Sequence, residues 1–209
     1  EFRRVLFRSD ITSHSVATSH FYDIFRYQIL DTNSYIEEIW AYGYWAIDRC
    51  ARIIKEGASF KEVTKGDLTE VEGCIAQAYA IKALCSFYLT NMFGLPYSEA
   101  NKTTLGIVNV TEPVPAYSQV SRVSVEQNYS LILDDITKAK EYYAKEGVEN
   151  VGKQYMNTAA VAALEARVKL YMKNYEGAIT AAQEAITLSG GTIVSTKEDY
   201  KNMYTTLAV

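Results

Sequence analysis

The three cysteines and two histidines are the side chains of this 209-residue chain best suited to bind a metal or act as nucleophiles. Cys50, Cys74 and Cys85 show no C-x-x-C spacing, and each falls within an apolar stripe, so we interpret them as buried thiols. His14 and His20 lie six residues apart with no carboxylate pattern around them, which does not indicate a metal site. We therefore expect no metal and no other cofactor.

The carboxylates do not indicate catalysis either. Glu37 and Glu38 occupy helix positions typical of a solvated face, and so do the adjacent Asp134 and Asp135. Because the apolar residues around this second pair must point inward, at least one of the two aspartates must face solvent. The chain contains no G-x-S-x-G, H-E-x-x-H or glycine-rich phosphate loop. The sequence therefore predicts a protein that is not an enzyme.

Tyrosine is the unusual part of the composition, with 17 Tyr against 7 Phe and 2 Trp. Tyrosine suits both helix packing and polar ligands, and the helical spacing of many of these residues favours packing. Otherwise, 48% hydrophobic and 22% charged residues are ordinary for a globular protein. The net charge of -4 argues against nucleic-acid binding, and no apolar run approaches the roughly 20 residues of a membrane-spanning helix.

Capping signals divide most of the chain into helices that position these side chains. The S/T-x-x-E/Q capping box occurs three times, at Ser34–Glu37, Thr69–Glu72 and Ser124–Gln127. Asn157 and Asn174 are expected to cap two further helices. No alternating apolar and polar run predicts a sheet, so we expect an all-α fold.

Glycines are expected to end the first two of these helices. Gly57 is expected to end the first helix, and Gly94 is expected to end the second as a left-handed stop, with Pro96 preventing resumption. Gly43 lies on the apolar stripe of the first helix, where we expect it to let another helix approach closely. The second helix is apolar around most of its circumference, which predicts a central position.

A long loop follows the second helix. All three prolines, Pro96, Pro113 and Pro115, fall in residues 96–115. The loop is about 25 residues long, whereas most connections have roughly 4 to 6, and loops of this length are normally functional or disordered.

The stretch ALEARVKLYMKNYEGAITAAQEAI resembles a tetratricopeptide-type helical hairpin. A short turn at Lys173 and Asn174 joins its two helices. The small residues Ala178, Ala182 and Ala185 are expected to face the preceding alanine-rich helix closely. We therefore predict tetratricopeptide-like helical hairpins with long surface loops, and a generic helical bundle is the alternative.

Four segments, taken in order, resemble the SusD/RagB family of nutrient-binding outer-membrane lipoproteins of Bacteroidota. They are WAYGYWAIDRCARII (40–54), AQAYAIKALCSFYLTNMFGLPY (76–97), RVSVEQNYSLILDDITKAKEYY (122–143) and NTAAVAALEARVKLYMKNYEGAITAAQEAI (157–186). The chain departs from the family pattern at Ala51, where the family frequently has Asn, and at Lys82, where it usually has Arg.

The resemblance implies a protein that binds an oligosaccharide at the cell surface and delivers it to a SusC-like TonB-dependent transporter of the outer membrane. It also implies a lipid-anchored N-terminal cysteine and a loop-rich C-terminal half, neither of which is expected within this chain. Residues 10–209 would thus form the N-terminal part of a SusD-like helical domain. Residues 1–9, EFRRVLFRS, are expected to be an assembly artefact, because one reading frame of a common sequencing adapter encodes VLFRS. The alternative function is a tetratricopeptide-type adaptor that binds peptides or proteins.

A sugar site needs aromatic faces beside side chains that hydrogen-bond hydroxyl groups. The sequence offers both in FYDIFRYQILDTN and in the region from Tyr97 to Tyr117. In the first stretch, Arg26, Tyr27, Asp31 and Asn33 are the candidate ligand-binding residues, although packing of Tyr27 on the next helix is an equal alternative. Whether the ligand is a glycan or a peptide stays open at this point.

Overall fold

The computed structural model describes residue 30, residues 33–191 and residues 194–206. The chain divides into two compact units, residues 1–42 and 43–209. In the first unit, residues 30 and 33–42 are described, and residues 34–42 are helical. The second unit contains the remaining described residues and the hydrophobic core.

Six helices occupy most of the described ranges. They are α1 (Ser34–Val63), α2 (Thr69–Phe93), α3 (Val125–Tyr143), α4 (Thr158–Tyr171), α5 (Tyr175–Ser189) and α6 (Lys197–Thr206). Between these helices, the described residues hold one isolated antiparallel bridge, which joins Leu105 and Ser124. The predicted all-α fold is confirmed.

The core lies where α2 packs against α3 and α4. Its buried residues are Ala76, Ala80, Ala83 and Phe87 from α2, Val125, Tyr129, Ile132, Ile136, Ala139 and Tyr143 from α3, and Val161, Leu164 and Val168 from α4. The alanines of α2 let α3 approach, while each large apolar side chain buried there contributes about 1.5 to 3 kcal/mol. The predicted central position of α2 is confirmed.

Two glycines set the close approach of α1 to α2. A Cβ added at Gly43 would lie 2.9 Å from the Leu89 methyl carbons, and one added at Gly57 would lie 2.8 Å from Cδ1 of Ile75. The earlier glycine on α1, Gly43, meets the later residue on α2, Leu89, and the later glycine, Gly57, meets the earlier residue, Ile75. The two helices are therefore antiparallel. The prediction for Gly43 is confirmed. The prediction that Gly57 ends α1 is wrong, because α1 continues to Val63 and Gly57 instead makes room for Ile75.

Gly94 ends α2, but by a different physical mechanism from the one predicted. Its backbone is extended, with φ of −103°, so it is not a left-handed stop. A Cβ at this position would lie 2.7 Å from the carbonyl oxygen of Thr90, which leaves space for glycine alone. Gly190, which follows α5, does have a left-handed backbone, with φ of 61°.

Three of the predicted helix caps are present. At α3, the Ser124 side chain accepts from the Gln127 amide and Gln127 bonds back to the Ser124 amide, which completes a capping box. The side chains of Asn157 and Asn174 accept from the amides of Ala160 and Gly177, at 2.9 and 3.0 Å.

The other two predictions of capping boxes, at Ser34–Glu37 and at Thr69–Glu72, are wrong. At α1 the capping oxygen is Oδ1 of Asn33, which accepts from the Tyr35 amide at 3.1 Å. At the start of α2, Glu72 does not reach back to the backbone, because its carboxylate binds Lys61 and Lys145, each at 2.6 Å. Hydrogen bonds from Lys145 and Lys61 lower the pKa of Glu72.

The predicted hairpin of α4 and α5 is present. Its seam, meaning the line of small residues on α5 that packs against α4, differs from the predicted line. Ala178 and Ala181 are the buried residues of α5, whereas Ala182 and Ala185 are half-buried. The seam therefore includes Ala181, which the sequence stripe omitted.

We predict that Ala181→Leu destabilises the hairpin by about 1 to 3 kcal/mol, because the extra methylenes have no space against α4. Ala182→Leu should cost less, since that side chain is half-buried. Urea unfolding of both variants measures the difference, with Gln183→Leu on the exposed side as the control. Equal losses for Ala181→Leu and Gln183→Leu would show that the seam is placed wrongly.

Candidate functional site

The loop between α2 and α3, residues 94–124, contains a buried stretch that is held by side chains from three helices. We call residues 106–110 the clamped segment. Gly106, Ile107 and Val110 in this segment are buried. Because buried backbone amides and carbonyls need partners, the clamped segment can exist only if the helices supply them.

Asn128 of α3 is the central clamp. Its Oδ1 accepts from the Ile107 amide at 2.8 Å, and its Nδ2 donates to the Ile107 carbonyl at 3.2 Å and to Oδ1 of Asn109 at 2.6 Å. The side-chain amide thus pairs with Ile107 as a neighbouring strand would. A Cβ at Gly106 would lie 1.8 Å from Oδ1 of Asn128, so the clamp requires glycine there.

Tyr44 of α1 holds the next residue of the clamped segment. Its hydroxyl accepts from the Val108 amide at 2.8 Å and donates to the Val108 carbonyl at 3.1 Å. Burial raises the pKa of Tyr44 to about 12, although the Val108 bond and Arg122 oppose that rise. The phenol therefore stays protonated and keeps its donor.

Arg122 closes the loop at its other end. Its guanidinium donates to the carbonyl of Gly106 and, at 2.6 Å, to the carbonyl of Phe93. The backbone of Val123 adds two bonds, accepting from Gly106 at 2.7 Å and donating to Ile107 at 3.0 Å. The end of α2 and the start of α3 are thereby tied to the same segment.

A buried ion pair supports the last residue of the clamped segment. Lys82 of α2 donates to the Val110 carbonyl at 3.1 Å and lies 3.0 Å from Oδ1 of Asp135 on α3. Both charged residues are only 3% exposed. The expectation that Asp135 lies on a solvated face is wrong, while Asp134 is exposed, as required of at least one of the pair.

The carboxylate of Asp135 is only partly hydrogen-bonded. Its Oδ2 is buried and has no hydrogen-bond partner among the described residues. Burial raises the pKa of Asp135 to about 6, and the attraction of Lys82 offsets only part of that effect.

The outward part of the loop has a different character. We call residues 111–121 the outer segment, and most of its residues are exposed. Tyr117 is 103% exposed and has a φ of 63°, a left-handed conformation that is uncommon for a non-glycine residue. Tyr97, at the other end of the predicted aromatic region, instead packs edge-on against Tyr129 with ring centroids 4.9 Å apart.

An apolar groove of about 650 Å³ lies between the second half of α1 and the first half of α2. Its lining includes Ile53, Phe60, Val63 and Val71, with Glu56 as a charged member. With so few polar groups, the groove fits an apolar occupant better than a sugar.

Of the four candidate ligand residues, Asn33 alone lies within the part of the chain that the structure describes. Arg26, Tyr27 and Asp31 lie outside the described residues. Asn33 is described, and its side-chain oxygen caps α1. The residues that hold the loop could have been suspected from sequence, because Asn128 and Asp135 are polar residues on the apolar stripe of α3.

The cysteines differ from one another in exposure. Cys50 is buried and Cys85 is half-buried, but Cys74 is exposed, so the prediction of a buried thiol is wrong there. Burial raises the pKa of Cys50 to about 11 and also raises the pKa of Cys85, which keeps both as thiols.

No cluster of metal-ligating side chains occurs within the described ranges. Of the helices described, none has the length and apolarity to cross a membrane.

Comparison with known proteins identifies one family whose sequence model matches most of the chain. Residues 3–170 match the sequence model of a SusD-like family described as starch-binding and associating with the outer membrane. Among curated proteins, none matches the chain.

Solved structures give the same result. A SusD superfamily protein of Bacteroides thetaiotaomicron is 27% identical, with a TM-score of 0.73, over 86% of this chain and 39% of that one. A SusD superfamily protein of Bacteroides vulgatus is 25% identical, with a TM-score of 0.65, over 78% and 36%. A laminarin-binding SusD-like protein shares the fold at 20% identity and a TM-score of 0.54, over 71% and 29%. The chain thus spans less than half the length of these relatives.

We predict that Asn128→Ala loosens the clamped segment and costs about 2 to 4 kcal/mol, because the buried amide and carbonyl of Ile107 lose a partner. Hydrogen exchange at the Ile107 amide should accelerate. Gln119→Ala, in the exposed outer segment, is the control and should leave that exchange unchanged. Unaltered protection in Asn128→Ala would refute the clamp.

The ion pair predicts a pH dependence. The pKa of Asp135 is raised from 3.8 to about 6 on folding, so the folded state binds more protons between those values and gains stability as the pH falls. From pH 4 to 7, the unfolding free energy of the natural chain should fall, relative to Asp135→Asn, by about 2 kcal/mol. Urea unfolding at several pH values measures both slopes. Parallel slopes, or a relative gain with rising pH, would contradict this assignment.

Proposed function

This chain belongs to the SusD-like family, and we propose on that basis that it binds an oligosaccharide at the cell surface and passes it to a TonB-dependent transporter of the SusC-like class. The observation that carries the proposal is the family match over residues 3–170. The tetratricopeptide-type helical fold shared with SusD superfamily structures supports it. In this proposal the protein lies at the outer membrane, held by a lipid anchor, and does not alter the ligand chemically.

The helices serve as a platform in this function, and the 94–124 loop carries the exposed surface. Recognition of a neutral sugar requires a fixed aromatic face and a few hydrogen-bonding groups. A clamped loop supplies such a surface at a lower entropic cost than a mobile one. The four candidates Arg26, Tyr27, Asp31 and Asn33 stay predictions for the sugar site.

The alternative is an adaptor that binds peptides or proteins. Tetratricopeptide-type adaptors normally connect their helices by short turns and keep a strict repeat. Here the connection between α2 and α3 extends from residue 94 to residue 124 and is secured by side chains of three helices. The loop therefore favours the glycan-binding proposal.

We predict that the full-length protein binds a neutral oligosaccharide with micromolar to millimolar affinity, or about 4 to 8 kcal/mol. Stacking and neutral hydrogen bonds should make that affinity nearly independent of salt. Calorimetry against plant, host and microbial glycans measures it, with peptides as the control. Binding to peptides alone would favour the adaptor, and release of shortened sugars would reveal an enzyme.

A further inference from the structure

We propose that the outer segment carries a subsite for one neutral sugar ring, with Tyr117 as the surface on which the ring stacks. This inference rests on the proposed function, because it names a contact residue for the same class of ligand. Tyr117 is not one of the four candidates Arg26, Tyr27, Asp31 and Asn33.

Tyr117 is placed as a binding residue rather than as a packing residue. At 103% exposure, both faces of its ring are open to solvent within the described structure. Its backbone holds a φ of 63°, which β-carbon sterics normally disfavour. Unfavourable backbone geometry of this kind clusters at functional sites. Because the ring buries no surface here, core packing does not account for its conformation.

The outer segment is held on both sides. On one side, Lys82 anchors Val110, the last residue of the clamped segment. On the other side, Arg122 bonds to the carbonyls of Gly106 and Phe93. Within the outer segment, the Ser118 amide donates to the Pro115 carbonyl at 3.2 Å, which forms a turn around Tyr117.

Proline restricts the chain that leads into this turn. Pro113 and Pro115 have fixed φ angles, so little backbone freedom is lost when a ligand binds. An aromatic residue on an ordered turn is suited to a weakly binding ligand, because only the freedom of its side chain, and little of the backbone's, is lost on binding.

The chemistry beside Tyr117 is neutral. Ser118 and Gln119 are exposed and offer a hydroxyl and an amide for hydrogen bonds. The one charged residue in the outer segment is Glu112, which lies 3.9 Å from Lys55. An aromatic face beside neutral donors and acceptors matches a sugar, whose ring presents C–H groups to the aromatic face and hydroxyls at its edge. An anionic or cationic ligand would find no charge partner at Tyr117 itself.

The test uses the full-length protein with maltoheptaose and laminariheptaose as the two probes. Tyr117→Ala should weaken binding of the preferred probe about tenfold, whereas Tyr117→Phe should stay within about twofold, because stacking needs the ring and not the hydroxyl. Tyr175→Ala is the matched control: Tyr175 is 59% exposed on α5, and its loss should leave affinity unchanged.

A second measurement guards against a misfolded variant. In the natural protein, the bound probe should protect Tyr117 from nitration by tetranitromethane, as read by mass spectrometry, and should leave Tyr175 unprotected. Unchanged affinity in Tyr117→Ala, or equal nitration of Tyr117 with and without the probe, would overturn the subsite while the proposed function stands. Failure of the natural protein to bind any oligosaccharide would overturn both.

Discussion

The pairing of the Asn128 side-chain amide with the backbone of Ile107 is the constraint on which the rest of the site depends. Five loop residues lie among helices and have no full sheet to complete their hydrogen bonds. Asn128 and Tyr44 each contribute a donor and an acceptor to one backbone unit, as a strand would. The requirement for glycine at 106 follows directly, because the amide oxygen occupies the space of its missing Cβ.

The clamps place polar groups where the helices would otherwise be apolar. Lys82 and Asp135 illustrate the energetic cost, since both are desolvated and one carboxylate oxygen has no partner among the described residues. A buried ion pair is seldom a net source of stability. Its value here is positional, because Lys82 connects α2, α3 and the loop through two contacts. Stability comes instead from the apolar core formed by α2, α3 and α4.

Local signals predicted the helices well, and distant partners account for the errors. The capping box at Ser124 was predictable because both of its members lie within four residues. Thr69 and Glu72 show the same capping-box spacing in sequence, but Lys145, 73 positions away, binds the Glu72 carboxylate. The polar residues on the stripe of α3 were visible in sequence, whereas their loop partners and the backbone angle of Tyr117 depend on tertiary structure.

Different residues hold the loop in place and form its exposed surface, and this separation affects how such a protein can diversify. The residues that secure it lie in the helices or at its base, whereas most residues of the outer segment are exposed. Substitutions at the exposed positions of the outer segment therefore alter the surface without disturbing the core. Selection can explore new surface chemistry there at little risk to folding, much as antibody loops vary on a constant framework.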